Sequence, residues 1–464
     1  MGSHQWGGPY LSFLLHFIAI LVNGSRRLVM VLFFLSFLYF ALLRLNFWNQ
    51  KLSNLMRNDV VLQHKIGFSK FLLQRLVKGE AHHELIQNGV SCVSDTHSDF
   101  CVTTNAVRIA FTASGVVLHL TAGENNHSPV LNSSLIRPYP RKTDPIAMSR
   151  TSPVALLSRH PHPPPCDAVH PSPAFIFSAG GFAGNFFHDI NDVLLPLFLT
   201  ASPVLPNLHL VITDLQPYWS LKYRPFLRRL SSFAPISPTP TITHCFPSAV
   251  LGLKYHGELL CNETEPPGTV SSHDFRRFLH HSLPADHPSG GPPLLVLLSR
   301  RKSRVLLNEE EAAGAARDAG FRVLVATPQE TGTVEEFGSV VRGCGVLVGV
   351  HGAGLTNLVF LRPGAVVVQI VPWGLDWASE EYYGRPARRM GLEYLEYRIA
   401  VEESTLRGEY AEDDPVLADP WGVNLKGYNV SRPVYVDGQN VSLDLRRFGE
   451  TLQTARRLLL GIAR

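Results

Sequence analysis

The sequence predicts an α/β protein whose main sheet is parallel and doubly wound, preceded by a membrane anchor. Three observations carry this. Between residues 294 and 371 short apolar runs alternate with segments of helical spacing, with no hairpin signal between them. Residues 90–289 hold further strand-like runs and one long helical stretch, enough for a second lobe. Near the start, residues 28–43 carry no charge, and twelve of the sixteen are Leu, Val or Phe.

The anchor comes first in the chain. At about −0.3 to −0.6 kcal/mol each, those twelve residues favour insertion by roughly 4 to 7 kcal/mol. Sixteen residues are short for a span. The expectation is that Arg26, Arg27 and Arg44 snorkel and that the host membrane is a thin early-secretory one. A second, weaker apolar run covers residues 11–22 and contains His16. With Arg26 and Arg27 in the cytoplasm, the body lies in the lumen whether one run inserts or both. This gives a tail at 1–27, an anchor at 28–45 and a stem at 46–89.

Five sequons follow the anchor, at Asn126, Asn132, Asn262, Asn429 and Asn440. Such sites have meaning only on exposed luminal loops, so they favour a luminal body. Six cysteines fit an oxidising compartment. Cys92 with Cys101 and Cys245 with Cys261 are the short-loop candidate pairs, leaving Cys166 and Cys344. No C-x-x-C pair occurs, which argues against zinc. The formal charge is +4 and no Lys/Arg tract is present, so nothing marks a nucleic-acid partner.

Beyond the stem, 106–111 and 115–120 read as strands. The proline-rich stretch 158–173 reads as an extended surface loop despite its histidines. Then 174–178 is a strand, 185–200 a helix and 208–213 a strand. The Pro/Gly cluster at 284–293 marks a boundary between lobes at 90–289 and 290–400, and a segment with a closing helix follows at 401–464. In the second lobe the expected series is strand 294–298, helix 309–319 with Asn308 as N-cap, strand 321–326, helix 334–342, strand 346–350, helix 355–361 and strand 365–371. Ligands of such sheets bind beyond the carboxyl ends of the strands, and Arg300, Glu330 and His351 all follow such ends.

The segment after the strand at 346–350 is the most informative. It reads His351-Gly352-Ala353-Gly354-Leu355-Thr356-Asn357. Glycine lets backbone approach a ligand closely, and free N–H groups at a helix start face negative charge. Its bland reading is a tight strand-to-helix turn. Three other blocks accompany it: Gly180-Gly-Phe-Ala-Gly-Asn-Phe-Phe-His-Asp-Ile-Asn-Asp192, Gly252-Leu-Lys-Tyr-His256, and Leu298-Ser-Arg300 running on through Arg304.

With the Phe360-Leu-Arg-Pro-Gly364 turn, these blocks resemble glycosyltransferase family 61, in the family's order, over roughly residues 90–400. The resemblance is to the grass xylan-decorating members. It implies a GT-B architecture of two facing Rossmann-like domains, with a nucleotide sugar bound in the second. It implies an inverting Golgi type II enzyme, single-pass, that moves arabinofuranose or xylose from a UDP-sugar onto xylan, alone or in a complex with other wall-polysaccharide glycosyltransferases. A sibling reading has xylose moved onto N-glycan cores. A reading of a different class is a non-catalytic scaffold of a wall-polysaccharide synthase complex.

No D-x-D is present to hold a metal on the diphosphate, so no cofactor is expected. A positive clamp replaces it: Arg300 and Arg304, Glu330, and the turn from His351 through Asn357 form the expected donor site. For the base that takes the acceptor's proton, His188 and Asp192 share a helix face, matching the family's Phe-His-x-x-x-Asp, with Asp189 as competitor. Lys254, His256 and Trp373 are the expected cleft residues, with Trp377 as a second ring for stacking on sugar. Trp373 and Trp377 read equally as packing aromatics.

Overall fold

The computed structural model describes residues 36–40, 43–48, 50–51, 60–112, 115–121, 134–158, 163–237, 242–268, 270–284, 291–327 and 332–461. Contacts divide the chain into two units, Met1–Gly67 and Phe68–Arg464. In the first unit 36–40, 43–48, 50–51 and 60–67 are helical. Among the described residues no helix is long and apolar enough to cross a membrane. Most of 28–43 and all of 11–22 lie outside the described residues.

The second unit contains three sheets. The strands are β1 (Val90–Ser94), β2 (Asp99–Thr103), β3 (Val107–Thr112), β4 (Gly115–Leu120), β5 (Ser134–Ile136), β6 (Val154–Ser158), β7 (Ala168–Val169), β8 (Ala174–Ser178), β9 (His209–Thr213), β10 (His244–Phe246), β11 (Ala249–Leu251), β12 (Leu294–Leu298), β13 (Arg322–Ala326), β14 (Val346–Val350), β15 (Val366–Val371) and β16 (Glu393–Arg398). They assemble in the orders β1-β2-β11-β8-β9, β5-β6-β4-β3-β10-β7 and β13-β12-β14-β15-β16.

The first two sheets are packed face to face. Strand period decides which side chain faces which layer. Ala174 and Ile176 of β8 enter the core between the sheets, with Ile109, Leu118 and Phe246. Phe175 and Phe177 point the other way, into a second core with the helices. That second core also takes Val296, Leu347 and Val367 from the third sheet, so side chains on both sides of 284–293 fill one interior. Residues 285–290 lie outside the described residues.

The interior reaches into the predicted stem. Leu73 and Leu76 are fully buried in it, as is Leu85 of α1 (Gly79–Asn88). The last part of the 46–89 segment is therefore folded body, because its apolar residues find a partner layer.

Every pairing in the third sheet is parallel. In sequence terms its order is 2-1-3-4-5, so the winding reverses between β12 and β14, and such a switch point is where doubly wound sheets bind ligands. The expected elements are present, with one strand added, β16. Two details differ. Asn308 makes no cap bond; its side chain instead bonds both backbone groups of Leu443, which ties the C-terminal segment to this lobe. The segment after His351 is a tight 3-10 helix, Ala353–Phe360.

Cys92 and Cys101 are bonded, as their opposite register on β1 and β2 requires. Cys245 bonds Cys166, however, which corrects the Cys245–Cys261 pairing. The parallel pairing of β10 with β7 carries the Cys166 segment alongside Cys245. Cys261 and Cys344 are free and buried.

Candidate functional site

The first half of the site grows out of the segment after β8. Gly181 has φ +57°, and a Cβ there would meet the Tyr139 ring at 2.5 Å. Asn185 Oδ1 then accepts the Phe187 N–H at 3.0 Å and starts the helix α2, made of Phe186–His188, a π turn Asp189–Leu194, and Leu195–Ala201. His188 Nδ1 and Asp192 Oδ2 are 2.8 Å apart. The His188 side chain is 23% exposed and that of Asp192 is 0%.

Asp192 is saturated with donors. Tyr139 Oη donates to Oδ2 at 2.7 Å. Arg141 Nη2 at 2.9 Å and Asn191 Nδ2 at 2.8 Å donate to Oδ1. Arg141 also grips Glu258 through two bonds of 2.9 Å. Burial opposes the charge on Asp192, but the bonds from His188 and Arg141 outweigh it and hold the carboxyl below its usual range. An ionised carboxylate only accepts, so His188 Nδ1 carries the proton and Nε2 is left as the basic atom.

Of the candidates for the base, Asp192 is fully buried with both oxygens occupied, whereas His188 keeps exposed surface. Asp189 is also fully buried, bonded to the Gly184 N–H, Trp219 Nε1, Lys222 and Tyr223 Oη. It braces the turn before the helix.

The second half lies at the switch point. Gly352 has φ +145°, and a Cβ there would meet Arg300 Nη1 at 2.3 Å, so only glycine lets the guanidinium lie against the turn. Arg304, 8% exposed, donates through Nη1 to the His351 carbonyl at 3.0 Å, and its Nε has no partner among the described residues. Among those residues neither arginine forms an ion pair with a carboxylate. Burial, then the Arg300 charge, pushes Arg304 down to about 10.

His351 Nδ1 lies 2.8 Å from Gln369 Nε2, whose Oε1 accepts from Tyr394 Oη at 3.0 Å. Gln369 therefore donates to Nδ1, and His351 carries its proton on Nε2. Burial, with Arg304 and Arg300 adding to it, pushes the imidazole down to about 3, so it stays neutral and donates. Tyr383 Oη donates to the Gly352 carbonyl at 2.8 Å and fixes the turn from below. Leu355, Thr356 and Asn357 are buried; Asn357 Nδ2 bonds the Gly354 carbonyl at 2.8 Å and shapes the turn. Ala353 and Gly354 are its open part.

Aromatic rings join the halves. Phe187 lies 5.4 Å from Tyr382 and 6.2 Å from Tyr383, while His351 lies 6.3 Å and 5.4 Å from the same two rings. A cavity of about 920 Å³ opens at Ala353 and Gly354, bounded by Asn185, Lys222, Arg228 and Thr333; the side chains of Arg300 and His188 are not in its lining. Among the described residues no group of three or more His, Cys, Asp or Glu is placed to hold a metal ion.

Other expected residues fall elsewhere. Glu330, Asn126 and Asn132 lie outside the described residues. Lys254 Nζ sits 5.2 Å over the Phe100 ring and His256 Nδ1 accepts the Asn262 N–H, so neither joins the His188 network. Trp373 is half-buried, with Nε1 bonded to the Val416 carbonyl, and packs rather than faces substrate. Asn262 and Asn429 are exposed; Asn440 is half-buried and its Oδ1 accepts the Val305 N–H.

The sequence pattern described as Glycosyltransferase 61 matches residues 186–368, which include His188, Asp192, Arg300 and His351. A xylan glycosyltransferase of Arabidopsis thaliana is 33% identical over 392 residues, covering 79% of each chain. A beta-1,2-xylosyltransferase of Oryza sativa subsp. japonica is 34% identical, covering 79% of this chain and 83% of its own. The chain belongs to glycosyltransferase family 61. An alpha-1,3-arabinosyltransferase of Oryza sativa subsp. japonica is 36% identical over 373 residues, 78% of this chain, and the match spans 64% of that relative's length.

Several residues of this candidate site were not found by sequence reasoning: Tyr139, Arg141, Tyr255, Glu258, Gln369, Tyr382 and Tyr383. Only one left a usable signal. Tyr255 stands in the 252–256 block, between Lys254 and His256, and its hydroxyl accepts from Asn191 at 3.1 Å. Alternation along that segment should have pointed to the middle residue.

Proposed function

We propose that this protein is an inverting, metal-independent pentosyltransferase that moves arabinofuranose or xylose from a UDP-sugar onto xylan. The observation that carries the reading is the Arg300–Arg304 couple, without an ion pair to a carboxylate among the described residues, beside the neutral His351 at the switch point, one aromatic layer from the His188–Asp192 dyad. A buried and a half-buried guanidinium with no carboxylate partner among the described residues call for an anion, and a diphosphate supplies it. Charge-assisted bonds from arginine stabilise the departing diphosphate, the task a metal performs elsewhere. His351 Nε2–H adds a neutral donor. The cavity at Ala353–Gly354 has the size of a ligand pocket and takes the nucleoside end.

His188 Nε2 takes the proton of the attacking hydroxyl, and Asp192 stabilises the resulting imidazolium. Support for pentose and xylan comes from the relatives, which are arabinosyl- and xylosyltransferases and a xylan glycosyltransferase. A two-lobed GT-B layout, a single-pass type II anchor and a luminal Golgi body belong to the same proposal, supported by the apolar run at 28–43 and by the sequons. The experiment is transfer by the detergent-solubilised full chain from a panel of UDP-pentoses to xylo-oligosaccharides and to N-glycan acceptors. Transfer to xylo-oligosaccharides is expected. Transfer to N-glycans alone, or UDP binding without transfer to any acceptor, would overturn the assignment.

A further inference from the structure

Behind the His188–Asp192 dyad two carboxylates share one guanidinium. Arg141 donates to Asp192 Oδ1 through Nε at 3.1 Å and Nη2 at 2.9 Å, and it pairs with Glu258 through Nη1 at 2.9 Å. Asn191 Nδ2 closes the same cluster, donating to Asp192 Oδ1 at 2.8 Å and to Glu258 Oε2 at 2.6 Å. The orientation of that amide is fixed, because Asn191 Oδ1 accepts the Leu259 N–H at 2.6 Å. Leu259 is fully buried with φ +49°, a conformation that leucine holds only where its surroundings impose it. The turn after Glu258 therefore delivers this carboxylate, 14% exposed, to Arg141.

The charges of the cluster do not cancel. Asp192 and Glu258 bring two negative charges and Arg141 one positive, which leaves −1 while His188 is neutral. A proton on His188 brings the sum to zero. Without Glu258 the sum would be zero beforehand and +1 afterwards. The Phe182 and Phe187 rings, 4.7 and 5.2 Å from His188, are uncharged. Burial keeps the Tyr139, Tyr255 and Tyr382 hydroxyls protonated. Asp189, next in the chain, is met by Lys222. The cations of the other half, Arg300 and Arg304, act against an imidazolium.

The geometry points to Glu258 as a positioning residue that supplies the spare negative charge: Arg141 cancels one carboxylate, and the second keeps His188 able to hold the acceptor's proton. This rests on His188 as the base and adds what makes it basic.

The test uses the full chain in detergent and reads His188 in two ways. One is the pH dependence of its modification by diethyl pyrocarbonate, which attacks only the neutral imidazole, followed by mass spectrometry of the peptide. The other is the acidic limb of the kcat/KM profile for transfer to xylo-oligosaccharides. Glu258→Gln should move both midpoints to lower pH by roughly half to one unit, the effect of removing one unit charge a few hydrogen bonds away. Arg141→Gln should move them to higher pH by about as much. The double variant Arg141→Gln/Glu258→Gln restores the sum of −1 and should return them close to the wild type, and Glu258→Asp should stay there. Should Glu258→Gln not fold in a thermal melt, the double variant compared with Arg141→Gln reads the same charge. An unmoved modification midpoint in folded Glu258→Gln, or a double variant that departs further than either single one, would make Glu258 a brace and overturn the charge account. Midpoints that shift as expected while kcat/KM does not follow would support the charge account and remove His188 as the base. A His188 that resists the reagent at every pH would overturn both.

Discussion

Spacing alone leaves open which of His188 and Asp192 acts as the base. Their spacing put them on one face, and the 2.8 Å bond is there. Which of them meets substrate depended on Tyr139 and Arg141, more than fifty positions upstream of Asp192, and no local pattern carries that information. His188→Ala should lower kcat by about a hundred- to ten-thousandfold and leave UDP affinity unchanged. Asp192→Asn should behave differently. It places an amide where four donors converge, so the melting temperature should fall along with kcat, at a cost of about 3 to 5 kcal/mol. Equal stability of the two variants in a thermal melt would contradict the buried-network account. For the donor, Arg300→Ala or Arg304→Ala should weaken UDP binding about ten- to hundredfold by calorimetry, the loss of one charge-assisted contact of roughly 1.5 to 3 kcal/mol. Among the sequons, Asn262 and Asn429, which are exposed, should be occupied and Asn440, which is half-buried, should be the least occupied of the three; mass spectrometry after glycosidase treatment reads this directly.

At the scale of elements, the third sheet was legible through β12, β14 and β15, which are buried on both faces and read as apolar runs, whereas its edge strand β16, Glu393–Arg398, alternates charged and aromatic residues and left no such run. The two-sheet part was less so. Its strands are short, and β7 and β10 have two and three residues, below what periodicity can register. The Cys166–Cys245 bond depends on that pairing, so nearness in sequence misled. The same pairing builds a histidine stack. His170 Nε2 bonds His244 Nδ1 at 2.9 Å, and His209 lies flat on Phe233 with neither ring nitrogen partnered among the described residues. Burial, then the neighbouring His170 and His244, pushes His209 down to about 4. The folded state keeps it neutral while the unfolded chain protonates near 6.5. Its contribution is therefore intact above about pH 6.5 and is lost as pH falls toward 4, on the order of 3 kcal/mol over that window. Melts recorded between pH 7.5 and 4.5 should show the loss. His209→Phe should flatten that part of the profile and raise the melting temperature, since it removes two unsatisfied polar atoms from an aromatic stack.

At the scale of the whole molecule, composition spoke correctly of a large folded body, yet the place where that body begins was misread. The segment around Leu73 and Leu85 looks like a lead-in because its basic and apolar residues mix without turn signals. Only the long-range core shows that it is interior. Activity of the whole enzyme should survive EDTA, as expected of an arginine clamp; complete loss, restored by manganese, would contradict it. The shared interior has one more consequence. Cys261 and Cys344 stand on opposite sides of the 284–293 stretch and contribute to the same core, with burial pushing each thiol up to about 12. Neither is reactive while folded. A thiol reagent added along a denaturant gradient thus asks each sulfur separately when its surroundings open. Coincident labelling would mean that this body melts as one cooperative piece, while earlier labelling of one would mark its half as the part that lets go first.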